Sequence, residues 1–256
     1  MNGVVRTMLA PRCAACATVL DEPFASPVCA ACWRAVSRLT PPLCAVCGDA
    51  APTWRRADPL CARCRRRPPI FTMARSGGRY DGPLRAILHA FKYEGRRVLA
   101  KPLAQLMCEA DPDLLNDADA VVPVPLHPWR AWRRGFNQAD DLARELGRPV
   151  WPALRRIRHG PPQVSLPAAR RHANVRDAYA LAWTTRITPS ARRRLRGAIV
   201  VLVDDVMTTG ATLGACANVL IDAGVREVRV LTVARAVAGR PAAPDASRRL
   251  STVHRR

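Results

Sequence analysis

A chain of 256 residues has room for one α/β domain and a small accessory module. Its hydrophobic fraction of 49% excludes a disordered polymer, and no apolar run nears the ~20 residues that a membrane-spanning helix needs. The formal net charge of +21 is almost all arginine, Lys92 and Lys101 being the only lysines, and it points to polyanionic partners: nucleic acid or a polyphosphorylated small molecule. Residues 1–12 lack the apolar stretch of a secretory signal, so a cytoplasmic protein is expected.

Eight of the ten cysteines fall before residue 65 as four C-x-x-C pairs: Cys13/Cys16, Cys29/Cys32, Cys44/Cys47 and Cys61/Cys64. In a reducing compartment such clusters hold metal rather than disulfides. Each pair places two sulfurs on one knuckle, and two knuckles complete a tetrahedral S4 site suited to Zn²⁺. Twelve residues separate Cys16 from Cys29, and 13 separate Cys47 from Cys61. That near-repeat predicts two consecutive zinc ribbons; spacing alone also allows an interleaved pairing. Iron–sulfur ligation is the rival chemistry, and the regular spacing argues against it. Four thiolates leave no open coordination position, so the metal supplies folding energy. This stretch is too poor in long aliphatic runs to fold by core packing alone. The run Arg65-Arg66-Arg67-Pro68-Pro69 closes it, which sets the expected module at residues 1–70.

From residue 80 the pattern is helical. Leu84, Ile87, Leu88 and Phe91 share one face, ending near Gly95, and 98–110 forms a second amphipathic helix with Pro102 in its first turns. Residues 118–126 read as a central strand, apolar without alternation. A helix is expected over 139–146, a short strand over 149–154, and a long loop without period over 158–180. The strongest strand is 198–203; a Thr/Gly turn, a helix over 212–223 stopped by Gly224, and a further strand over 227–234 follow it. Strand, helix and strand in succession predict a βαβ unit and a parallel sheet, hence an α/β domain over 71–238. Residues 239–256 form a basic Ala/Pro/Arg-rich tail, expected to be disordered.

The most informative stretch is Val200-Val-Leu-Val-Asp204-Asp205-Val-Met-Thr208-Thr209-Gly210-Ala211-Thr212. A buried strand delivers two carboxylates to the edge of the sheet where open α/β folds bind ligands. The helix N-terminus that follows favours an anion, threonine hydroxyls add donors, and Gly210 allows close backbone approach. The acids themselves repel phosphate, so they address sugar hydroxyls or magnesium-bound water. Phosphoribosyl pyrophosphate (PRPP) carries both features. A response-regulator fold also bears aspartates on a strand, but only about fifty residues follow here, too few to complete it.

At this point the sequence resembles the PRPP motif of type I phosphoribosyltransferases. The resemblance implies that Asp204 and Asp205 meet the ribose hydroxyls as the catalytic pair, while Thr208, Thr209, Gly210, Ala211 and Thr212 cradle the 5′-phosphate. More of the chain is similar to one branch, the ComF/ComFC competence protein family. Arg134-Gly135-Phe136-Asn137-Gln138 resembles its RGFNQ signature, and Phe91-Lys92-Tyr93-Glu94-Gly95 its K-Y-x-G motif. Gln163-x-x-Leu166, with Arg171 and Asn174, resembles its flexible loop, and Val121-Val-Pro-Val-Pro125-Leu126 the strand and turn that grip pyrophosphate. Pro167, Ala168 and Arg170 depart from the commoner residues of that loop. The likeness implies a type I phosphoribosyltransferase fold, a parallel sheet flanked by helices with a hood and flexible loop, behind a zinc-ribbon module. It further implies that Lys92, Pro125, Leu126, Arg134, Gln138, Arg171 and Asn174 take part in binding PRPP with Mg²⁺.

Between residues 121 and 198 there are 16 arginines against 4 acidic residues. Arg130, Arg133, Arg134, Arg170 and Arg171 flank the position of a pyrophosphate leaving group, whose charge they would stabilise. Two functions follow. One is an enzyme moving phosphoribosyl from PRPP to an acceptor that no sequence signature names. The other is a non-catalytic module whose basic face binds single-stranded DNA or a helicase-like competence partner, as the family likeness implies. Trp129 and Trp132 lie among arginines, either as stacking platforms or as packing residues.

Overall fold

The computed structural model describes residues 11–20, 26–50, 59–126, 129, 132, 134–157 and 178–236. Among its described residues the cysteine-rich stretch contributes two short helices, α1 (Ala30–Arg34) and α2 (Ala62–Arg66). Strand β1 (Met73–Arg79) and helix α3 (Gly82–Tyr93) follow, then a 3₁₀ turn (Arg97–Leu99), α4 (Ala100–Cys108), β2 (Ala120–Pro123) and α5 (Gln138–Arg144). Next come β3 (Leu154–Arg156), β4 (Tyr179–Leu181), α6 (Trp183–Ile187) and α7 (Pro189–Leu195). The last elements among the described residues are β5 (Ile199–Met207), α8 (Ala211–Asp222) and β6 (Glu227–Arg235).

Four strands form one parallel sheet in the order β1-β6-β5-β2. β5 lies inside it because Ile199 to Val203 bury both faces, as a continuous apolar run requires. On one side α3 and α4 present Leu84, Ile87, Leu88, Phe91, Leu103 and Met107 to the core. On the other, α8 presents Leu213, Cys216 and Leu220. β3 and β4 pair antiparallel as a separate two-stranded ribbon. Among the described residues, no helix is long and apolar enough to cross a membrane.

Several expected elements change at their ends. β2 is shorter than residues 118–126, since Pro123 and Pro125 cannot donate to a ladder. Val124 still donates to Val203 O at 2.9 Å. The strand expected over 149–154 is divided: Val150 makes a single parallel bridge to Val121, and regular pairing begins only at Leu154. β5 runs beyond residue 203, through the acidic pair to Met207. β1 has no counterpart in the periodicity, because Met-Ala-Arg-Ser-Gly-Gly-Arg carries little β-propensity. Its glycines permit close packing instead. A Cβ on Gly77 would lie 2.8 Å from Leu106 O, and one on Gly78 would lie 3.0 Å from Ser37 O.

The cysteine-rich stretch covers the β1 edge, which would otherwise offer unpaired backbone groups. Arg79 donates to Ser37 O at 2.8 Å and Ala74 to Val46 O at 2.6 Å.

Candidate ligand site and metal centres

The cysteines gather as Cys13/Cys16/Cys29/Cys32 and Cys44/Cys47/Cys61/Cys64, with the sulfurs of each group within 4.8 Å of one another. The pairing is therefore consecutive, not interleaved. Zinc–sulfur bonds of about 2.3 Å in a tetrahedron place sulfurs about 3.8 Å apart. The Sγ atoms of Cys16 and Cys29 are 3.9 Å apart, and those of Cys47 and Cys61 3.6 Å. Backbone amides steady the thiolates: Cys29 donates to Cys13 Sγ at 3.3 Å and Cys61 to Cys44 Sγ at 3.4 Å. Both clusters fit zinc, each with four thiolate ligands and no open position. They differ in setting. Cys16 of the first is exposed, whereas Cys44, Cys47 and Cys64 of the second are buried.

The acidic pair stands near the carboxyl end of β5, flanked by β2 and β6. Asp205 Oδ1 meets Lys92 Nζ at 2.8 Å, with both side chains about 15% exposed. Burial alone would lower the Lys92 pKa; its ion pair with Asp205 outweighs that and raises it. Asp204 Oδ1 accepts from the Asp205 amide at 2.8 Å. Burial, and then the adjacent Asp205 charge, push the Asp204 carboxyl up to about 7, against the pull of that amide and of Lys92. Near neutrality Asp204 therefore exchanges between donor and acceptor, which suits a sugar hydroxyl.

Past Met207 the chain turns sharply. Gly210 adopts φ 76°, a left-handed conformation, and caps the N-terminus of α8. Thr209 Oγ1 accepts from the Ala211 amide at 3.4 Å. Together with Asp204, the turn lines a recess of about 50 Å³. At roughly 10–15 Å³ per water, this holds a handful of waters, the room of a small anion. Thr208 is exposed at its rim. Tyr179 of β4 is buried nearby, hydrogen-bonded with Thr212, and burial pushes its hydroxyl up to about 12.

The two family-like motifs meet beside the acids. Arg134 lies over the Tyr93 ring at 4.6 Å and donates to Gln138 Oε1 at 2.9 Å. Phe136 packs on Phe91, and Asn137 donates to Val124 O at 3.2 Å. Gln138 is 1% exposed, and its Nε2 has no hydrogen-bond partner among the described residues. Pro125 and Leu126 continue β2, half-buried. Lys92, Arg134, Gln138, Pro125 and the acidic pair thus converge at one end of the sheet. Arg171 and Asn174 lie outside the described residues, as do Arg130, Arg133 and Arg170. Trp129 and Trp132 are 57% and 82% exposed.

Sequence reasoning missed Arg235, 1% exposed at the end of β6. An arginine closing an apolar strand reads as a solvated cap; only its place opposite Met207 in the sheet register shows otherwise.

Fold and site define a double zinc ribbon joined to a phosphoribosyltransferase domain. Family profiles agree: a double zinc ribbon domain matches residues 4–65, and a phosphoribosyl transferase domain matches residues 131–251. The chain is 33% identical to Competence protein F of Haemophilus influenzae, over 82% of this chain and 90% of that protein. It is likewise 33% identical to DNA utilization protein YhgH of Salmonella typhimurium, over 81% of this chain and 90% of that protein. Competence protein ComFC of Bacillus subtilis is 26% identical, over 77% of this chain and 79% of that protein. The chain belongs to the competence protein F family.

Proposed function

We propose that this protein binds PRPP at the β5–α8 turn in the cytoplasm and acts as a phosphoribosyltransferase-like component of DNA uptake. One observation carries the reading: two adjacent carboxylates, one paired with Lys92 and the other buried beside it, stand next to an anion-sized recess at a helix N-terminus. Asp204 and Asp205 would hold the ribose 2- and 3-hydroxyls, and Thr208 to Thr212 the 5′-phosphate. Gln138 Nε2, buried and without a hydrogen-bond partner among the described residues, would donate to the pyrophosphate, with Arg134 adding charge. As the bond to pyrophosphate lengthens, ribose C1 gains positive character, which the carboxylates offset while the arginine steadies the leaving group. Asp204 and Asp205 would be the hard oxygen donors for a magnesium ion bound with PRPP, which would neutralise pyrophosphate charge. The test is calorimetric titration with PRPP and Mg²⁺. Saturable binding lost in Asp204→Asn/Asp205→Asn supports the reading; binding that survives that change defeats it.

A second observation favours a nucleic-acid role beside or instead of turnover. Trp183 is 59% exposed, with Arg155 at 4.6 Å and Arg186 at 5.5 Å from its ring centre. An exposed aromatic between guanidinium groups stacks bases without reading them. The names of the relatives, competence and DNA utilization, accord with a role at DNA, and on this reading the partner is single-stranded DNA or a helicase-like competence protein.

A further inference from the structure

We infer that the second cysteine cluster braces the phosphate-binding turn, so that what this cluster holds sets the shape of the anion site. The link is Arg235. Its guanidinium donates to Cys47 O at 2.6 Å, to Asp49 Oδ1 at 3.2 Å, to Met207 Sδ at 3.2 Å and to Cys47 Sγ at 3.6 Å. A buried guanidinium needs negative partners. Asp49 is one; the other is the cluster itself, because four thiolates around Zn²⁺ carry a net charge of −2. The cluster loop therefore holds Arg235 through Cys47, and Arg235 holds Met207.

Met207 in turn fixes the turn. Its Cε lies 2.9 Å from where a Cβ on Gly210 would sit, and Phe71, itself buried, closes the same side at 3.9 Å. A second strut reaches the next peptide: Arg63, between the cluster ligands Cys61 and Cys64, donates to Thr209 O at 3.4 Å. The ribbon thus reaches Met207 and Thr209, and through Met207 Gly210, all of which line the recess together with Thr208 and Thr212. A tight seat keeps the cluster in register: Gly48, with φ 65°, would drive a Cβ to 2.4 Å from Ala74 O. The first cluster instead packs with α3 and α4, on the opposite face of the sheet.

The consequence for ligand affinity rests on the PRPP reading, but the brace itself is measurable without any ligand. Hydrogen exchange in the full-length, zinc-loaded protein reads amides 208–213 directly. Cys61→Ser, confirmed to have lost one zinc equivalent, should speed exchange there about tenfold, with the β5 amides 200–203 unchanged. Cys16→Ser, which empties the first cluster, should leave the turn as it was. Should Cys61→Ser fail to fold, Arg63→Ala at an exposed position removes one strut and should accelerate the same amides. Arg235→Lys, keeping charge but losing the fork, should fall between. Equal protection of the turn in all variants overturns the brace. PRPP failing to bind wild-type protein, while the turn still loosens in Cys61→Ser, would reject the ligand assignment and keep the brace.

Discussion

The Lys92–Asp205 pair offers a quantitative test, because it joins α3 to the carboxyl end of β5 through a contact of 2.8 Å at about 15% exposure. Exposed pairs contribute about 0.2–1 kcal/mol, whereas removing one partner of a buried pair costs about 3–5 kcal/mol by stranding the other charge. Residual solvent access puts the expected loss at the lower end, about 3 kcal/mol for Lys92→Met. At about 2–4 °C per kcal/mol for a chain of this size, Tm should fall by roughly 6–12 °C. Lys92→Met/Asp205→Asn should be less destabilised than the sum of its singles by about 2–3 kcal/mol, the coupling energy of the pair. Urea unfolding of the four proteins with zinc bound measures it. Additive singles, with coupling below about 0.5 kcal/mol, would refute the view that this lysine holds an otherwise uncompensated acid in place.

Asp204 should make stability depend on pH in the sense opposite to an ordinary salt-bridged acid. Its folded pKa of about 7 lies above the usual carboxyl value, so the folded state binds the extra proton and stability falls as pH rises from about 4 to about 7. Asp204→Asn should flatten that slope in urea midpoints at pH 5 and pH 8; a slope unchanged by the substitution contradicts the assignment. Gly210→Ala, at φ 76° and against Met207, should lose about 1–2 kcal/mol and abolish anion binding, read by thermal melts with and without inorganic phosphate. Trp183→Ala should weaken binding of a fluorescent single-stranded oligonucleotide by about 1–3 kcal/mol, and the affinity of the parent protein should fall steeply with salt. No binding, or salt-independent binding, would dismiss that surface.

How much was legible in the sequence depends on where the signal is carried. β5 and the turn after it were readable because local pattern and local chemistry coincide there: a run of five buried residues, two acids, then a glycine at a left-handed turn. The cysteine clusters were readable because ligand spacing is itself geometry. β1 was not, since its Gly77–Gly78 pair reflects the close approach of α4 and of the segment at Ser37, a tertiary fact without periodicity. Lys92 was singled out only through family likeness; its partner Asp205 is 113 positions away, and no local rule links them. Arg235 was invisible for the same reason, since its partners come from the ribbon and from β5. The flanking arginines of residues 158–177 lie outside the described residues and stay as the sequence presents them.

Co-crystallisation with PRPP and magnesium, followed by a difference map at the β5–α8 turn, tests the central claim most directly. The account predicts a tetrahedral phosphate on the amides of Thr209 to Thr212, with the ribose hydroxyls against Asp204 and Asp205. Density for PRPP elsewhere on the protein, or a bare turn at saturating PRPP, would contradict it.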